Sequence, residues 1–154
     1  VCICLCRLKG CDLTSSCCDD LRSILITNRS LTRLDLSDND LQDSGMRRLC
    51  EGLRHPGCTL QELRIFRCNV TLWCCDDLCS VISTNRTLTR LEVILYEDED
   101  GEKMSDSEGD RCYQVLRNAG FTVDRERDVP WWDVSIHRRR LENGLWEVLP
   151  PPCR

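Results

Sequence analysis

Leu31-Thr-Arg-Leu34-Asp-Leu36-Ser-Asp-Asn39-Asp-Leu41 has the spacing LxxLxLxxNxL, and that spacing decides the fold. It recurs as Ile3-Cys6-Leu8-Cys11-Leu13 and as Leu60-Leu63-Ile65-Cys68-Val70, while Leu88-Leu91-Val93 opens a further copy that lapses. The copies start at residues 3, 31, 60 and 88, so the period alternates between 28 and 29. A fixed period in this range marks a solenoid of stacked units. Such a fold points to a binding surface rather than a catalytic pocket.

Each unit reads as one strand and one helix, which together make a leucine-rich repeat. In the strand the two leucines of LxL point inward by the two-residue period, and the residues between them face out. Downstream, Leu41, Gly45, Leu49 and Leu53 fall at helical spacing. So do Leu13, Cys17, Leu21 and Leu25 in the copy before, and Val70, Cys74, Leu78 and Ile82 in the copy after. Asp43, Arg47, Arg48 and Glu51 are expected on the outer helix face. The predicted fold is therefore α/β, a horseshoe segment with parallel strands inside, helices outside and an irregular C-terminal tail.

The copies also alternate in type. Residues 11–34 and 68–91 share 15 of 24 positions, so the duplicated unit is a 57-residue double repeat. The polar position reads Cys11, Asn39, Cys68. The Asn39 amide is expected to cap backbone groups in the turn after the strand, with a small buried thiol filling that space in the cysteine copies.

The 28/29 alternation resembles the ribonuclease-inhibitor type of leucine-rich repeat. LCEGLRHPGCTLQEL (residues 49–63) and the paired LTxxCCDDL strings more narrowly resemble repeats of the pyrin-containing NOD-like receptors. The resemblance covers roughly residues 1–95 plus a degraded cap to about 124. It implies a cytosolic module with protein partners and no catalytic residues, sensing ligands or packing against the receptor's nucleotide-binding domain. The sequence opens inside a repeat, at VCICLC, and is read as part of a longer chain.

Fourteen cysteines among 154 residues would suit a disulfide scaffold in a secreted protein. Here most sit at repeat positions that are buried by construction, and reduced structural thiols are the expectation. His55 and His137 are the only histidines, and no cysteine run has zinc spacing, so neither a metal nor a cofactor is expected. No phosphate loop, HExxH or GxSxG motif supports an enzyme. No membrane segment is expected. Of the three N-x-S/T sequons, those at Asn28 and Asn85 are the same repeat position, so they follow from duplication.

Function is sought on the outward strand residues. One column reads Leu5, Arg33, Glu62, Arg90, and the next reads Arg7, Asp35, Arg64, Glu92. At the strand spacing of about 4.8 Å, opposite charges would face each other in both. A third column reads Lys9, Ser37, Phe66, Ile94, placing an aromatic rimmed by Arg64, Arg67 and Arg90 on the concave face as a contact anchor. The candidate binding residues are thus Arg33, Asp35, Glu62, Arg64, Phe66, Arg67, Arg90, Glu92 and Ile94.

Beyond Val93 the repeats give way. Residues 97–110 carry eight acidic residues against one lysine, a loop too polar to pack. Ser105 and Ser107 each have an acidic residue three positions on, the pattern read by acidophilic kinases. Asp110–Ala119 suits a helix ended by Gly120, followed by a short strand. The expected division is repeats 1–95, acidic loop 96–110, C-terminal cap 111–124 and divergent tail 125–154. No physical argument fixes the tail's structure, and its composition is compatible with disorder. Residues 124–154 hold six arginines, including the run Arg138-Arg139-Arg140, against six acidic residues. That balance, with a net charge of −5 for the chain, argues against nucleic acid. A ribonuclease-inhibitor-like binding protein is the alternative to the receptor module.

Overall fold

The computed structural model describes residues 4–97, 106–124 and 130–150. The element order is β1 (Cys4–Arg7), α1 (Cys18–Thr27), β2 (Leu31–Asp35), α2 (Gln42–Arg54), β3 (Glu62–Ile65), α3 (Cys75–Thr84), β4 (Arg90–Tyr96), α4 (Asp106–Asn118), β5 (Thr122–Asp124), β6 (Trp131–Arg140) and β7 (Trp146–Leu149). Short 3-10 turns at Ser15–Cys17 and Leu72–Cys74 lead into α1 and α3. They fall at equivalent places in the 57-residue duplication.

β1 to β4 are parallel neighbours in one sheet, each joined to the next by a helix. The core lies between sheet and helices. Leu34, Leu36, Leu63, Ile65, Leu91 and Val93 meet Leu21, Leu25, Met46, Leu49, Leu53, Leu78 and Val81 there. The strand period puts the first set inward and the helical period puts the second set against it. This is the leucine-rich-repeat architecture.

Asn39 ties successive repeats together. Its Oδ1 accepts the backbone N–H groups of Cys11 (3.1 Å) and Leu13 (2.9 Å) in the preceding repeat. Its Nδ2 donates to the carbonyls of Leu8 (2.8 Å), Leu36 (2.7 Å) and Ser37 (3.2 Å). One buried amide therefore satisfies five backbone groups that the turn leaves open. In the cysteine copy, the buried Cys68 thiol donates to the carbonyls of Leu36 and Phe66. Cys11 differs from expectation: it is exposed, because among the described residues nothing stacks on that face of β1.

The sequon residues Asn28 and Asn85 shape the turn between helix and strand. Asn28 Oδ1 accepts from the N–H groups of Ser30 and Leu31, and Asn85 Oδ1 does the same for Thr87 and Leu88. Asn85 is buried and also donates to the Leu53 carbonyl at 2.7 Å.

Three further expectations need correcting. The helix expected over Asp110–Ala119 starts at Asp106, so residues 106–109 of the acidic stretch are helical as well. Acidic side chains in a first turn favour the positive end of the helix dipole, and Cys112 and Leu116 anchor the following turns in the core. Asp43 is not purely an outer residue. Its carboxylate accepts from Thr71 N (2.7 Å) and Thr71 Oγ1 (2.6 Å) in the next repeat.

The third correction concerns the tail, where residues 131–140 and 146–149 are strands. β6 pairs antiparallel with β4 over Arg90↔His137 to Tyr96↔Trp131. Its other edge pairs with β5 and β7. The physical reason is a strict alternation: Trp132, Val134, Ile136 and Arg138 are buried, while the residues between them face out.

Candidate protein-interaction surface

The strand register sets the outward columns. Arg33 stands beside Glu62 and Glu62 beside Arg90, while Asp35 stands beside Arg64 and Arg64 beside Glu92. Leu5 and Arg7 extend the two columns on β1, and His137 and Ser135 extend them on β6. Charge alternates along both. Arg33 Nε lies 3.5 Å from Glu62, and Arg64 Nε lies 2.9 Å from Glu92. These side chains, with Leu5 and Arg7, line an open groove of about 180 Å³.

Not every charge is matched. Among the described residues, no acidic group lies within ion-pair distance of Arg7 or Arg90. Burial, and then the Arg90 charge, hold the His137 imidazole below the usual histidine range, with Glu92 opposing. The groove thus ends at Arg90, beside which His137 continues the column on β6.

Phe66 is half-buried, and the Arg64 guanidinium sits 5.5 Å from its ring centroid. Ile94 is half-buried one residue past Val93, the register partner of Ile65. Arg67 instead reaches back to Asp38, with Nη2 2.9 Å from Oδ2 and a second, closer bond from Nε to Oδ1. Arg90 stands in the Glu62 column, so of the three arginines Arg64 is the one over the ring. Of the two serines singled out for modification, Ser107 is exposed on α4, and Ser105 lies outside the described residues.

Arg138 is the residue that sequence reading missed. It came from a basic run weighed as a nucleic-acid contact, yet it is buried, with its guanidinium 4.8 Å from the Trp146 ring centroid. Desolvation depresses its pKa to about 10, with Arg86 adding to the effect. The signal that could have found it is the alternation Trp132-Val134-Ile136, of which Arg138 is the next inward position.

Cysteine chemistry is muted at several packed positions. Burial pushes the Cys18 and Cys79 thiols up to about 11 and Cys50 to about 12, and it raises Cys74 and Cys75 as well. Such groups behave as small apolar side chains. Among the described residues no His/Cys/Asp/Glu cluster could hold a metal ion, and no helix is long and apolar enough to cross a membrane.

A family model described as Leucine Rich repeat matches residues 27–50. NACHT, LRR and PYD domains-containing protein 3 of Mus musculus is 54% identical over 90 residues, 58% of this chain. Protein 14 of the same name series from Homo sapiens is 32% identical over 156 residues, 82% of this chain. The repeats belong to that receptor family. Protein 12 from Homo sapiens matches at 46% over 87 residues. The chain spans only 9%, 14% and 8% of the lengths of these three relatives. It is a leucine-rich-repeat module of the NOD-like receptor type.

Proposed function

We propose that the module works on the concave strand face as a ligand-sensing and autoinhibitory surface of a cytoplasmic NOD-like receptor, regulating inflammasome-type inflammatory signalling. The observation that carries this reading is the groove across β1–β4, open to a partner and lined by ordered, alternating charge. Arg33, Asp35, Glu62, Arg64, Arg90 and Glu92 supply its electrostatic pattern, with Phe66, Arg67 and Ile94 as the neighbouring anchor. In the autoinhibited state the partner is the nucleotide-binding domain of the same receptor. A ligand releases it only by binding the open form better than the packed one.

Complementary charge gives such a surface selectivity and on-rate more than raw affinity. Reversal at Arg64→Glu is therefore expected to weaken binding of the chain to a family nucleotide-binding domain about tenfold or more, with Phe66→Ala acting on the off-rate. Calorimetry on those variants tests the reading. Binding unchanged by both substitutions would move the contact elsewhere. Inhibition of a pancreatic-type ribonuclease by the same chain would instead favour an inhibitor function.

We divide the chain into repeats 1–95, an acidic segment 96–110, a cap 111–124 and a tail 125–154, with α4 running across the boundary at 110. Ser107 is the proposed phosphorylation site within the acidic segment.

A further inference from the structure

Each internal junction of the solenoid is closed by a threonine of the later repeat. Thr32 Oγ1 donates to the Cys4 carbonyl at 3.4 Å. Thr59 Oγ1 donates to the carbonyls of Asn28 and Leu31, both at 3.3 Å. Thr87 Oγ1 donates to those of Cys58 (3.3 Å) and Leu60 (2.8 Å). Backbone pairing accompanies the hydroxyl: Gln61 N–H donates to the Thr32 carbonyl at 2.8 Å.

Moving this junction forward by the 57-residue double repeat carries Asn28, Leu31 and Thr32 onto Asn85, Leu88 and Thr89. All three carbonyls there are taken by a single residue. Arg138 Nη2 donates to Asn85 O at 2.6 Å, Nε donates to Leu88 O, and the Arg138 backbone N–H donates to Thr89 O at 2.9 Å. The apolar columns continue as well. Cys6, Leu34, Leu63 and Leu91 share one inward column, and Ile136 is its next member; Ile65 and Val93 are followed by Val134. A strand running the opposite way thus meets the acceptors and the core positions that a parallel repeat strand meets elsewhere.

We infer that the far edge of β4 is a docking surface for a leucine-rich-repeat strand and that the β6–β7 hairpin occupies it in cis, Arg138 standing in for the junction threonine. The guanidinium suits the task because its planar fork bonds several carbonyls at once, Nη1 also donating to Ile82 O at 3.3 Å. β6 carries no hydroxyl residue after Ser135, and the long Arg138 side chain reaches the turn instead. Trp146 of β7 covers the guanidinium on its open side, which makes the hairpin rather than β6 alone the docking unit. The hairpin therefore closes the end of the sheet against another strand.

The test is hydrogen exchange on the full chain, comparing wild type with Arg138→Met, Trp146→Ala and Thr59→Val. Arg138→Met is expected to raise exchange roughly tenfold or more across residues 85–95 and β6, because buried carbonyls lose their donors. Exchange in β2 and β3 should stay unchanged. Trp146→Ala, which leaves the carbonyl bonds intact, should give a smaller rise in the same place and serves if Arg138→Met does not fold. Thr59→Val should reproduce the local pattern one double repeat earlier, across residues 28–36. A silent Arg138→Met, a rise spread through β1–β3, or a silent Thr59→Val would each overturn the assignment.

Discussion

Asp38 and Arg67 occupy corresponding left-handed positions of successive repeats, with φ of 59° and 52°, and form a two-pronged ion pair across the step between them. Left-handed backbone is strained for side chains other than glycine, and Gly10 fills the corresponding position in the first described repeat. The ion pair bridges the two turns outside the charged groove. The Arg67 hydrogen bond holds the Asp38 carboxyl below the usual carboxylate range, with Lys9 helping and desolvation opposing. Because the folded pKa is the lower one, the contribution is present above the unfolded pKa and lost as pH falls through the folded value. Carboxylate NMR should show Asp38 titrating low in the wild type and returning toward the ordinary range in Arg67→Ala.

Asn39→Ala should be among the most damaging single changes. It removes an amide that serves five backbone groups in two repeats, leaving buried donors and acceptors unmatched. A loss of about 2–4 kcal/mol is expected, read as a lower denaturant midpoint. Asn39→Asp should also destabilise, since a carboxylate cannot donate to the carbonyls of Leu8, Leu36 and Ser37.

Gly45 of α2 packs closely against Cys18 of α1 and the 3-10 turn before it. A Cβ there would lie 2.8 Å from Cys18 Sγ and 3.2 Å from Ser15 Cα. Overpacking costs about 1–3 kcal/mol and here outweighs the better helix propensity of alanine. Gly45→Ala should therefore lower the melting temperature. Adding Cys18→Ala should recover part of the loss, because it removes the sulfur but not the backbone clash. Strict additivity in the double-mutant cycle would contradict this geometry.

The repeats were legible because a stacked unit writes its period directly into the chain. LxL fixes strand faces and register together, so the Arg33–Glu62–Arg90 and Asp35–Arg64–Glu92 columns followed from alignment alone. Two kinds of feature did not. Asp43 reads as an outer helix residue by helical phase, yet its carboxylate reaches Thr71 because inter-repeat contacts obey the stacking geometry rather than one helix's own pattern. The tail was opaque for a different reason. β6 joins the sheet antiparallel and so breaks the repeat phase, and its fourth inward residue is an arginine, which pattern reading counts as surface. Only the surrounding carbonyls and Trp146 make Arg138 an interior residue, and those are brought to it by the fold.

Ser107 lies exposed in the first turn of α4, with Glu108 and Asp110 beside it. A phosphate there adds roughly −1.5 to −2 charges at the positive end of the helix dipole, which favours the helix. Incubation with an acidophilic kinase should add phosphate at Ser107, lost in Ser107→Ala, and the modified chain should show slower amide exchange in α4. Faster exchange in α4 would mean that repulsion from the neighbouring carboxylates dominates.

His137 couples the tail to the groove. It faces Arg90 across the β4–β6 register, and burial together with that charge lowers its pKa while Glu92 opposes. A histidine whose folded pKa lies below its unfolded value stabilises the fold above the unfolded pKa. That contribution is lost as pH falls through the folded value. Stability should therefore decline as pH drops from neutrality, and His137→Gln should flatten part of the slope. Arg90→Ala should bring the His137 titration back toward the ordinary range, followed by imidazole NMR. If Arg90→Ala left the His137 midpoint in place, desolvation alone would account for the shift, and the charge column would end at β4.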